Sequence, residues 1–247
     1  MDEKDSTGRV ALVTGGARRI GAAIVRELAA RGMQVMIHDR GSTEDAERLA
    51  AELNARRPDA ATTVIADLAD GQAPEKLVAA VRERFGRLDL LVNNASIFVR
   101  APLAELTPEH WQKLLAANLT APLFLVQAAA PLLAEQGGSI VNLTDAYAGR
   151  LPVGYGAYAA TKAALADLTR SLARELAPEV RVNAVAPGAV LWPQPEPDAR
   201  AKERLLAGIP LARLGEPADI ARAVAFLAAE PYLTGVILPV DGGRSLA

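Results

Sequence analysis

Mainly apolar runs alternate with helical patterns through the first part of the chain, and this alternation restricts the fold more than any other feature. The runs lie at 10–13, 33–37, 62–66 and 88–92, and helical patterns separate them. Strands that are apolar on both faces are typical of a parallel sheet covered by helices. The order β-α-β-α-β-α-β therefore predicts an α/β fold with a doubly wound parallel sheet in three αβα layers.

The rest of the chain continues this Rossmann-type pattern. Further strands are predicted at 139–143, 180–185 and 236–240, and a long helix at 156–176. A helical region should run from Thr107 to about Glu135 with a bend at Pro122, because proline breaks the helical hydrogen-bond ladder. Residues 187–200 are predicted to form a Pro-rich loop. We expect a flexible tail at 1–8 and a single domain at 9–247, since no segment is typical of a linker.

Composition argues against several classes of protein. The net charge is −2, so no basic surface for nucleic acid is indicated. The chain has no Cys and only two His, which argues against a thiolate or His-based metal site. No apolar run approaches the ~18 residues of a membrane span, and the polar N-terminus does not resemble a signal peptide. We therefore expect a cytoplasmic protein with no metal, no nucleic acid and no membrane.

A glycine-containing turn, Thr14 to Gly21, lies between the first strand and the first helix. Glycines in such a turn let the backbone approach a pyrophosphate, and the helix N-terminus favours its negative charge. A tight turn without a ligand is the alternative. The strand-turn-helix context and the βα units that follow it favour a dinucleotide.

A second cluster of polar residues follows the strand at 139–143. Asp145 stands just after this strand, and Tyr158 and Lys162 are four residues apart, so they share one face of a helix. An acid, a phenol and an amine could therefore converge on one bound molecule.

Several motifs together resemble the short-chain dehydrogenase/reductase family. They are the turn Thr14–Gly21 (with Arg19 where the family usually has Gly), Asn93-Asn94-Ala95 (followed by Ser96 in place of Gly), Tyr158-x-x-x-Lys162, Pro187-Gly188 and Val240-Asp241-Gly242-Gly243. The resemblance and the turn predict that the dinucleotide contacts Gly15, Arg18, Arg19, Ile20, Gly21, His38, Arg40, Ser42, Asp67, Leu68, Asn94, Ala95, Ser96, Tyr158, Lys162, Pro187 and Gly188.

The choice of cofactor depends on the end of the second strand. Asp39 would favour NAD, since an acid there binds the ribose hydroxyls. Arg18, Arg40 and Ser42 would favour NADP, because they can accommodate a 2′-phosphate, although each Arg could instead be a solvated surface charge. NADPH is expected in preference to NADH.

The family's mechanism implies that Tyr158 exchanges a proton with the substrate. We expect Lys162 to lower the pKa of Tyr158 and to hold the nicotinamide ribose. Asn118 matches the Asn that supports this Lys through water in the family.

Position 145 departs from most of the family, where a Ser polarises the substrate carbonyl. An ionised Asp cannot donate a hydrogen bond to a carbonyl. Asp145 with Arg19 resembles the pteridine reductase branch, in which a pterin stacks between the nicotinamide and an aromatic residue, here matched by Phe98. The branch implies substrate contacts from Arg19, Ser96, Phe98, Asp145, Tyr155, Tyr158, Leu191 and Trp192.

Each of three assignments has an alternative in which the residue has a purely structural role or none. Asp145 could simply cap the following turn, Phe98 could pack in the core, and Trp192 could be an exposed, mobile residue. The main hypothesis is an NADPH-dependent reductase of biopterin, monapterin, folate or their dihydro forms, acting on a C=N bond. The alternatives are a 3-oxoacyl thioester or sugar carbonyl reductase, and a non-enzymatic dinucleotide sensor. The family resemblance also implies a homotetramer.

Overall fold

The computed structural model describes residues 6–41, 43–192 and 196–246. Its seven strands form one parallel sheet in the order β3-β2-β1-β4-β5-β6-β7. The strands are β1 (Val10–Val13), β2 (Gln34–Asp39), β3 (Ala61–Ile65), β4 (Leu90–Asn93), β5 (Ser139–Leu143), β6 (Arg181–Pro187) and β7 (Ile237–Val240). The predicted doubly wound, single-domain α/β fold is confirmed.

Helices cover both faces of this sheet and bury two apolar clusters. The helices are α1 (Arg19–Ala30), α2 (Thr43–Arg56), α3 (Ala73–Phe85), α4 (Pro108–Leu115), α5 (Ala121–Ala134), α6 (Gly156–Glu175), α7 (Ala199–Ala207) and α8 (Pro217–Ala229). On one face α1, α2 and α8 pack on the strands, and on the other face α3, α5 and α6 do so. The central strands β1, β4 and β5 are buried along their whole length, which is why their sequences contain few polar residues.

The bend predicted at Pro122 is a π-helical turn, Ala116–Thr120, placed immediately before that proline. Pro122 has no N–H, and its ring would collide with the Asn118 carbonyl four residues earlier in a regular helix. The wider turn relieves this conflict, and the Ala121 N–H bonds to the Ala116 carbonyl. The helical region is therefore continuous from Pro108 to Ala134, but it is locally unwound at Asn118.

This same region is the one place among the described residues where a helix passes a simple test for a membrane span. By length and composition, Pro108–Ala134 could cross a membrane, and an 18-residue window within it has a mean hydropathy of 1.4. In the fold, Leu114, Leu125 and Ala129 of this region are fully or almost fully buried. A core helix passes the same test of length and composition, and the burial supports that interpretation.

Three expectations lie wholly or partly outside the described residues. They concern Ser42 as a phosphate contact, the flexible tail, of which residues 1–5 are not described, and the Pro-rich loop. Within that tail, Ser6 donates its N–H to the Arg31 carbonyl at 3.0 Å. The Pro-rich loop is described only up to Trp192 and again from Glu196.

Candidate active site

The candidate site lies at the carboxyl edge of the sheet, where the strand order changes direction. β1 and β4 are neighbours, so the chain leaves them toward opposite sides of the sheet. A crevice at such a switch point is where open α/β sheets bind ligands. The Gly turn follows β1, Asn94 follows β4, Asp145 follows β5 and Gly188 follows β6. The topology therefore brings all four sequence motifs to one edge.

The turn Thr14–Gly21 is closely packed at its glycines, where the backbone and neighbouring residues leave no room for side chains. Gly15 has φ +59°, a left-handed conformation that favours glycine. A Cβ at Gly21 would stand 2.0 Å from the Gly15 carbonyl oxygen, so only glycine fits there. Among the described residues, the N-cap Arg18 forms no side-chain cap bond to α1. The first amides of α1 are thus available to an anion, as a pyrophosphate requires.

Arg19 occupies a left-handed position with φ 52°. This conformation explains why glycine is usual there in the resembling family, since a side chain at positive φ is strained. The Arg19 side chain is exposed at the mouth of the turn, where an anion or a substrate could meet it.

The structure corrects the role expected for the His38 side chain. It is buried at 1% exposure, and its Nδ1 accepts the Gly15 N–H at 3.2 Å while Nε2 pairs with the Ala66 carbonyl at 3.0 Å. Both ring nitrogens are engaged by the protein, so His38 supports the glycine turn from behind. Burial lowers the pKa of His38, which keeps the neutral Nε2–H tautomer that this arrangement needs.

Asn94 has a similar supporting position. Its Nδ2 donates to the Thr14 carbonyl at 2.9 Å and to the Gly15 carbonyl at 3.0 Å. The Ala95 N–H donates to the Thr14 hydroxyl at 3.0 Å. The segment after β4 thus fixes the backbone of the turn after β1.

Replacing Gly21 with Ala is expected to abolish tight NADPH binding and to lower the free energy of unfolding by about 1–3 kcal/mol. The new Cβ would overlap a backbone oxygen that cannot move without distorting the turn. Calorimetric titration and thermal unfolding would measure both effects. Gly71→Ala is the matched control, since nothing lies within 4 Å of a Cβ there. Equal behaviour of the two variants would contradict the account.

The residues expected to select between NAD and NADP differ in their exposure to solvent. Asp39 is buried at 5% exposure and its carboxylate accepts the Gly41 N–H at 3.1 Å, so it is partly used inside the protein. Arg40 is exposed, and Arg18 Nε stands 3.7 Å from the Asp45 carboxylate. This arrangement fits a 2′-phosphate better than a bare ribose. Asp67 is also exposed, and it accepts the Ala69 N–H at 3.0 Å.

The Asp145, Tyr158 and Lys162 side chains converge as the sequence predicts. The Tyr158 hydroxyl donates to Asp145 Oδ2 at 3.1 Å, and the Tyr147 N–H donates to Asp145 Oδ1 at 2.7 Å. Lys162 Nζ donates to the Leu143 carbonyl at 2.8 Å and stands 5.9 Å from the centroid of the Tyr158 ring. Asp145 therefore both caps its turn and contacts the phenol.

The expected lowering of the Tyr158 pKa is wrong for this arrangement. Burial and the neighbouring Asp145 carboxylate both raise the pKa of Tyr158 above its ordinary value, because each disfavours the phenolate. The Lys162 ammonium is held by a backbone carbonyl and does not reach the phenol oxygen within hydrogen-bond distance. Burial also raises the pKa of Asp145, against the opposing effects of the Tyr147 amide, Tyr158, Lys162 and Arg244. Tyr158 is thus a protonated donor beside a carboxyl that readily takes a proton.

Lys162 is 3% exposed, and burial lowers its pKa from 10.5 to about 8. Between these two pH values the unfolded Lys binds a proton that the folded Lys does not, so the free energy of unfolding should rise with pH. We expect a rise of about 3 kcal/mol in the wild type relative to Lys162→Met. Chemical denaturation at pH 8 and 10.5 would measure it. Lys113→Met, on the exposed side of α4, should leave the pH dependence unchanged.

The Asn118 side chain is fully engaged within the protein. Its Oδ1 accepts the Ile97 N–H at 2.8 Å and the Ser96 hydroxyl at 3.1 Å. Its Nδ2 donates to the Ile97 carbonyl at 3.0 Å and to the Thr161 hydroxyl at 3.1 Å. The side chain therefore ties the loop after β4 to α6. A water that supports Lys162 would therefore bind the backbone carbonyl of Asn118. Pro122 has no N–H, so it cannot donate a helical hydrogen bond to that carbonyl.

Aromatic rings line the substrate side of the cluster. Phe98 is 54% exposed, which argues against the core-packing alternative. It stacks on Tyr155 with centroids 4.7 Å apart and meets the edge of Tyr158 at the same distance. Leu191 is 37% exposed, and Lys202 Nζ stands 5.4 Å from the Trp192 ring. A flat ring could be held against this exposed aromatic surface.

Two residues at the site were not predicted from the sequence. Tyr147 donates its N–H to Asp145, and the guanidinium carbon of Arg244 stands 4.1 Å from the centroid of the Tyr147 ring. The position of Tyr147, two residues after an Asp that opens a turn, is a signal for such a bond. The sequence around Arg244 contains no comparable signal, because its contact depends on the packing of the C-terminal turn.

Comparison with known proteins supports the family resemblance. A family model described as enoyl-(acyl carrier protein) reductase matches residues 15–245. The 3-oxoacyl-[acyl-carrier-protein] reductase FabG of Staphylococcus aureus is 38% identical over 238 residues, covering 94% of this chain and 96% of the relative. Pteridine reductase 1 of Leishmania tarentolae is 38% identical over 282 residues, covering 97% of each, and ranks below the 3-oxoacyl reductases.

A solved structure agrees with the fold in detail. The blue fluorescent protein from a metagenomic library, determined in complex with NADPH, superimposes with a TM-score of 0.91 and 38% sequence identity. The match covers 98% of this chain and 99% of that protein. The whole described fold is therefore shared with an NADPH-binding protein.

Proposed function

The chain belongs to the short-chain dehydrogenase/reductase family of oxidoreductases, and we propose that it is an NADPH-dependent pteridine reductase. Its substrate would be a pterin or folate in an oxidised or dihydro form, reduced at a C=N bond. The observation that carries this proposal is the contact between Asp145 and Tyr158, at 3.1 Å. The family usually has Ser at that position.

The cofactor assignment is NADPH. The tight glycine turn, the uncapped start of α1 and the exposed Arg40 fit a dinucleotide with a 2′-phosphate. The solved neighbour that binds NADPH supports the same choice. When bound, NADPH supplies the hydride for the substrate's ring carbon. The glycine turn would hold its pyrophosphate and Lys162 its nicotinamide ribose.

Asp145 and Tyr158 would supply the proton that the substrate's ring nitrogen takes up. Tyr158 is kept protonated, so it can donate to the nitrogen next to the reacting carbon. Asp145 has a raised pKa, and in its protonated form it can return a proton to Tyr158. The pair thus delivers one proton and restores the donor from the adjacent carboxyl. An ionised Asp145 would accept ring N–H or amino donors of the substrate instead.

Phe98 would form one wall of the ring-binding site. Its exposed face, backed by Tyr155, offers stacking area for a flat heterocycle. A linear acyl chain gains less from such a face. Arg19 and Ser96 would contribute polar contacts at the border between substrate and cofactor.

A 3-oxoacyl thioester reductase is the second candidate, and the relatives support it better than they support the pterin assignment. The 3-oxoacyl reductases rank above the pteridine reductase among the similar proteins. Asp145 opposes this candidate in its ionised form, because a carboxylate held next to Tyr158 repels the developing negative charge of a reduced carbonyl. A sugar ketone meets the same objection.

Deuterium transfer tests the proposed chemistry. The protein would be incubated with NADPH deuterated at the transferable position and with 7,8-dihydrobiopterin or biopterin. The proposal expects a tetrahydropterin with deuterium on a ring carbon, detected by mass spectrometry and NMR. Reduction of an added 3-oxoacyl thioester with no deuterated pterin would refute it.

Cellular location and assembly are further parts of the proposal. We infer a cytoplasmic homotetramer, as the family resemblance implies. Phe124 on α5 is 47% exposed and Leu246 near the C-terminus is 87% exposed, which would suit subunit contacts. Sedimentation analysis would show the assembly state.

A further inference from the structure

Arg244 lies at the border of the candidate site, although it belongs to the last turn of the described chain. The guanidinium stacks on the face of Tyr147, whose backbone N–H is bonded to Asp145. Arg244 also acts electrostatically on the Asp145 carboxylate. A cation at this point therefore borders the substrate site behind Tyr147, on the side of Asp145.

The local fold fixes Arg244 in place. The Asp241 carboxylate accepts the Gly243 N–H at 3.0 Å and the Ser245 N–H at 2.7 Å, and the Asp241 carbonyl accepts the Arg244 N–H at 3.2 Å. Gly188 packs so closely on Asp241 that a Cβ would stand 2.6 Å from the Asp241 Cα. The turn is thus anchored on the end of β6, and its acid is already engaged by amides.

The Arg244 guanidinium has N–H donors that no described residue uses. Within residues 6–41, 43–192 and 196–246 it forms no ion pair and no side-chain hydrogen bond, and the side chain is half-buried. Asp145, on which Arg244 acts electrostatically, already receives the Tyr147 N–H and the Tyr158 hydroxyl. A planar guanidinium with free donors, stacked on an aromatic ring, is suited to bidentate binding of a carboxylate or phosphate.

We propose that Arg244 is a specificity-determining residue that binds an anionic group on the substrate, away from the bond that is reduced. This inference rests on the proposed function, in which Asp145 and Tyr158 mark the reacting end. Among pterins it selects those with a carboxylate-bearing tail, the folate class, over those with a neutral polyol tail. A phosphate on an acyl carrier would offer the same chemistry to a thioester reductase.

Steady-state kinetics of Arg244→Gln test the inference with two substrates. Dihydrofolate carries carboxylates on its tail, and dihydrobiopterin carries none. We expect KM for dihydrofolate to rise about tenfold or more, and kcat/KM for dihydrobiopterin to stay within about twofold. Arg244→Lys, which keeps the charge without the planar fork, should fall between the wild type and Arg244→Gln. Arg213→Gln, an exposed change of the same charge nearby, should resemble the wild type.

Two results would overturn the inference. Equal losses on both pterins with a shifted pH profile would show that Arg244 only tunes Asp145. Unchanged kinetics on both would show that it binds nothing. Thermal unfolding of each variant separates these results from misfolding, and Arg244→Lys keeps the test open if Arg244→Gln unfolds.

Failure of the proposed function would be visible separately. If the wild type reduces only 3-oxoacyl thioesters, the pterin assignment fails, and Arg244 is then tested on thioesters. The coenzyme A thioester carries phosphates and the N-acetylcysteamine thioester carries none. A loss confined to the phosphate-bearing substrate supports the inference for Arg244, and equal losses reject it.

Discussion

Replacing Tyr158 with Phe is expected to lower kcat by about 10²- to 10⁴-fold, with NADPH affinity unchanged within about twofold. The phenol donates to Asp145 at 3.1 Å, and its pKa is raised by burial and by that carboxylate, so it stays protonated. Phe retains the edge contact with Phe98 and so leaves the packing intact. Stopped-flow oxidation of NADPH would measure the rate, and fluorescence titration would measure the affinity.

Tyr155→Phe is the matched control for this experiment. It removes a phenol hydroxyl three residues away and leaves the stacking on Phe98 in place. This variant should keep kcat within about threefold of the wild type, because no proton transfer is assigned to Tyr155. Retention of most activity in Tyr158→Phe would show that another group donates the proton.

Replacing Asp145 with Ser should lower kcat/KM for a dihydropterin by about a hundredfold or more. The variant loses the carboxyl that contacts Tyr158, and with it the return of the proton. A Ser hydroxyl can instead donate to a carbonyl, so turnover of a 3-oxoacyl thioester should rise. NADPH affinity should change little, since the dinucleotide site is built from the glycine turn. Steady-state kinetics with the dihydropterin and with the 3-oxoacyl thioester would measure this change in substrate preference.

Asp145→Asn separates the two roles of this residue. Asn retains an oxygen that can accept the Tyr147 N–H, but it cannot release a proton. If capping the turn were the whole role, the Asn variant would keep pterin turnover. We expect it to lose about as much as the Ser variant. In the wild type, turnover should fall as the pH rises through the raised pKa of Asp145, because the protonated form is the active one, and this limb should vanish in Asp145→Asn.

The layered fold could be predicted from the sequence because the central strands are buried on both faces and most of the helices that cover the sheet bury apolar residues against it. Alternation of these patterns leaves few arrangements other than a doubly wound sheet. The π turn at Asn118 was missed, since the sequence indicates only that Pro122 disturbs the helix and not how the helix adapts. Element ends also shifted by a residue or more, as at β2, which runs on to Asp39.

The candidate site was predictable where sequence spacing determines geometry. Tyr158 and Lys162 share a helix face, and Asp145 follows a neighbouring strand, so their convergence follows from the fold. The net direction of the Tyr158 pKa depends on the tertiary structure, because burial and the adjacent Asp145 carboxylate raise it while Lys162 is bonded to the Leu143 carbonyl. The support roles of His38 and Asn94 and the approach of Arg244 depend on tertiary contacts between distant segments.

The ratio of kcat/KM for a dihydropterin to kcat/KM for a 3-oxoacyl thioester, measured on the wild type with NADPH, tests the assignment of Asp145 most directly. The account predicts a ratio of about a hundred or more in favour of the pterin, because the carboxyl next to Tyr158 serves a ring nitrogen and opposes a carbonyl oxygen. A preference for the thioester would contradict it and would assign the protein to the carbonyl reductases that its relatives FabG represent.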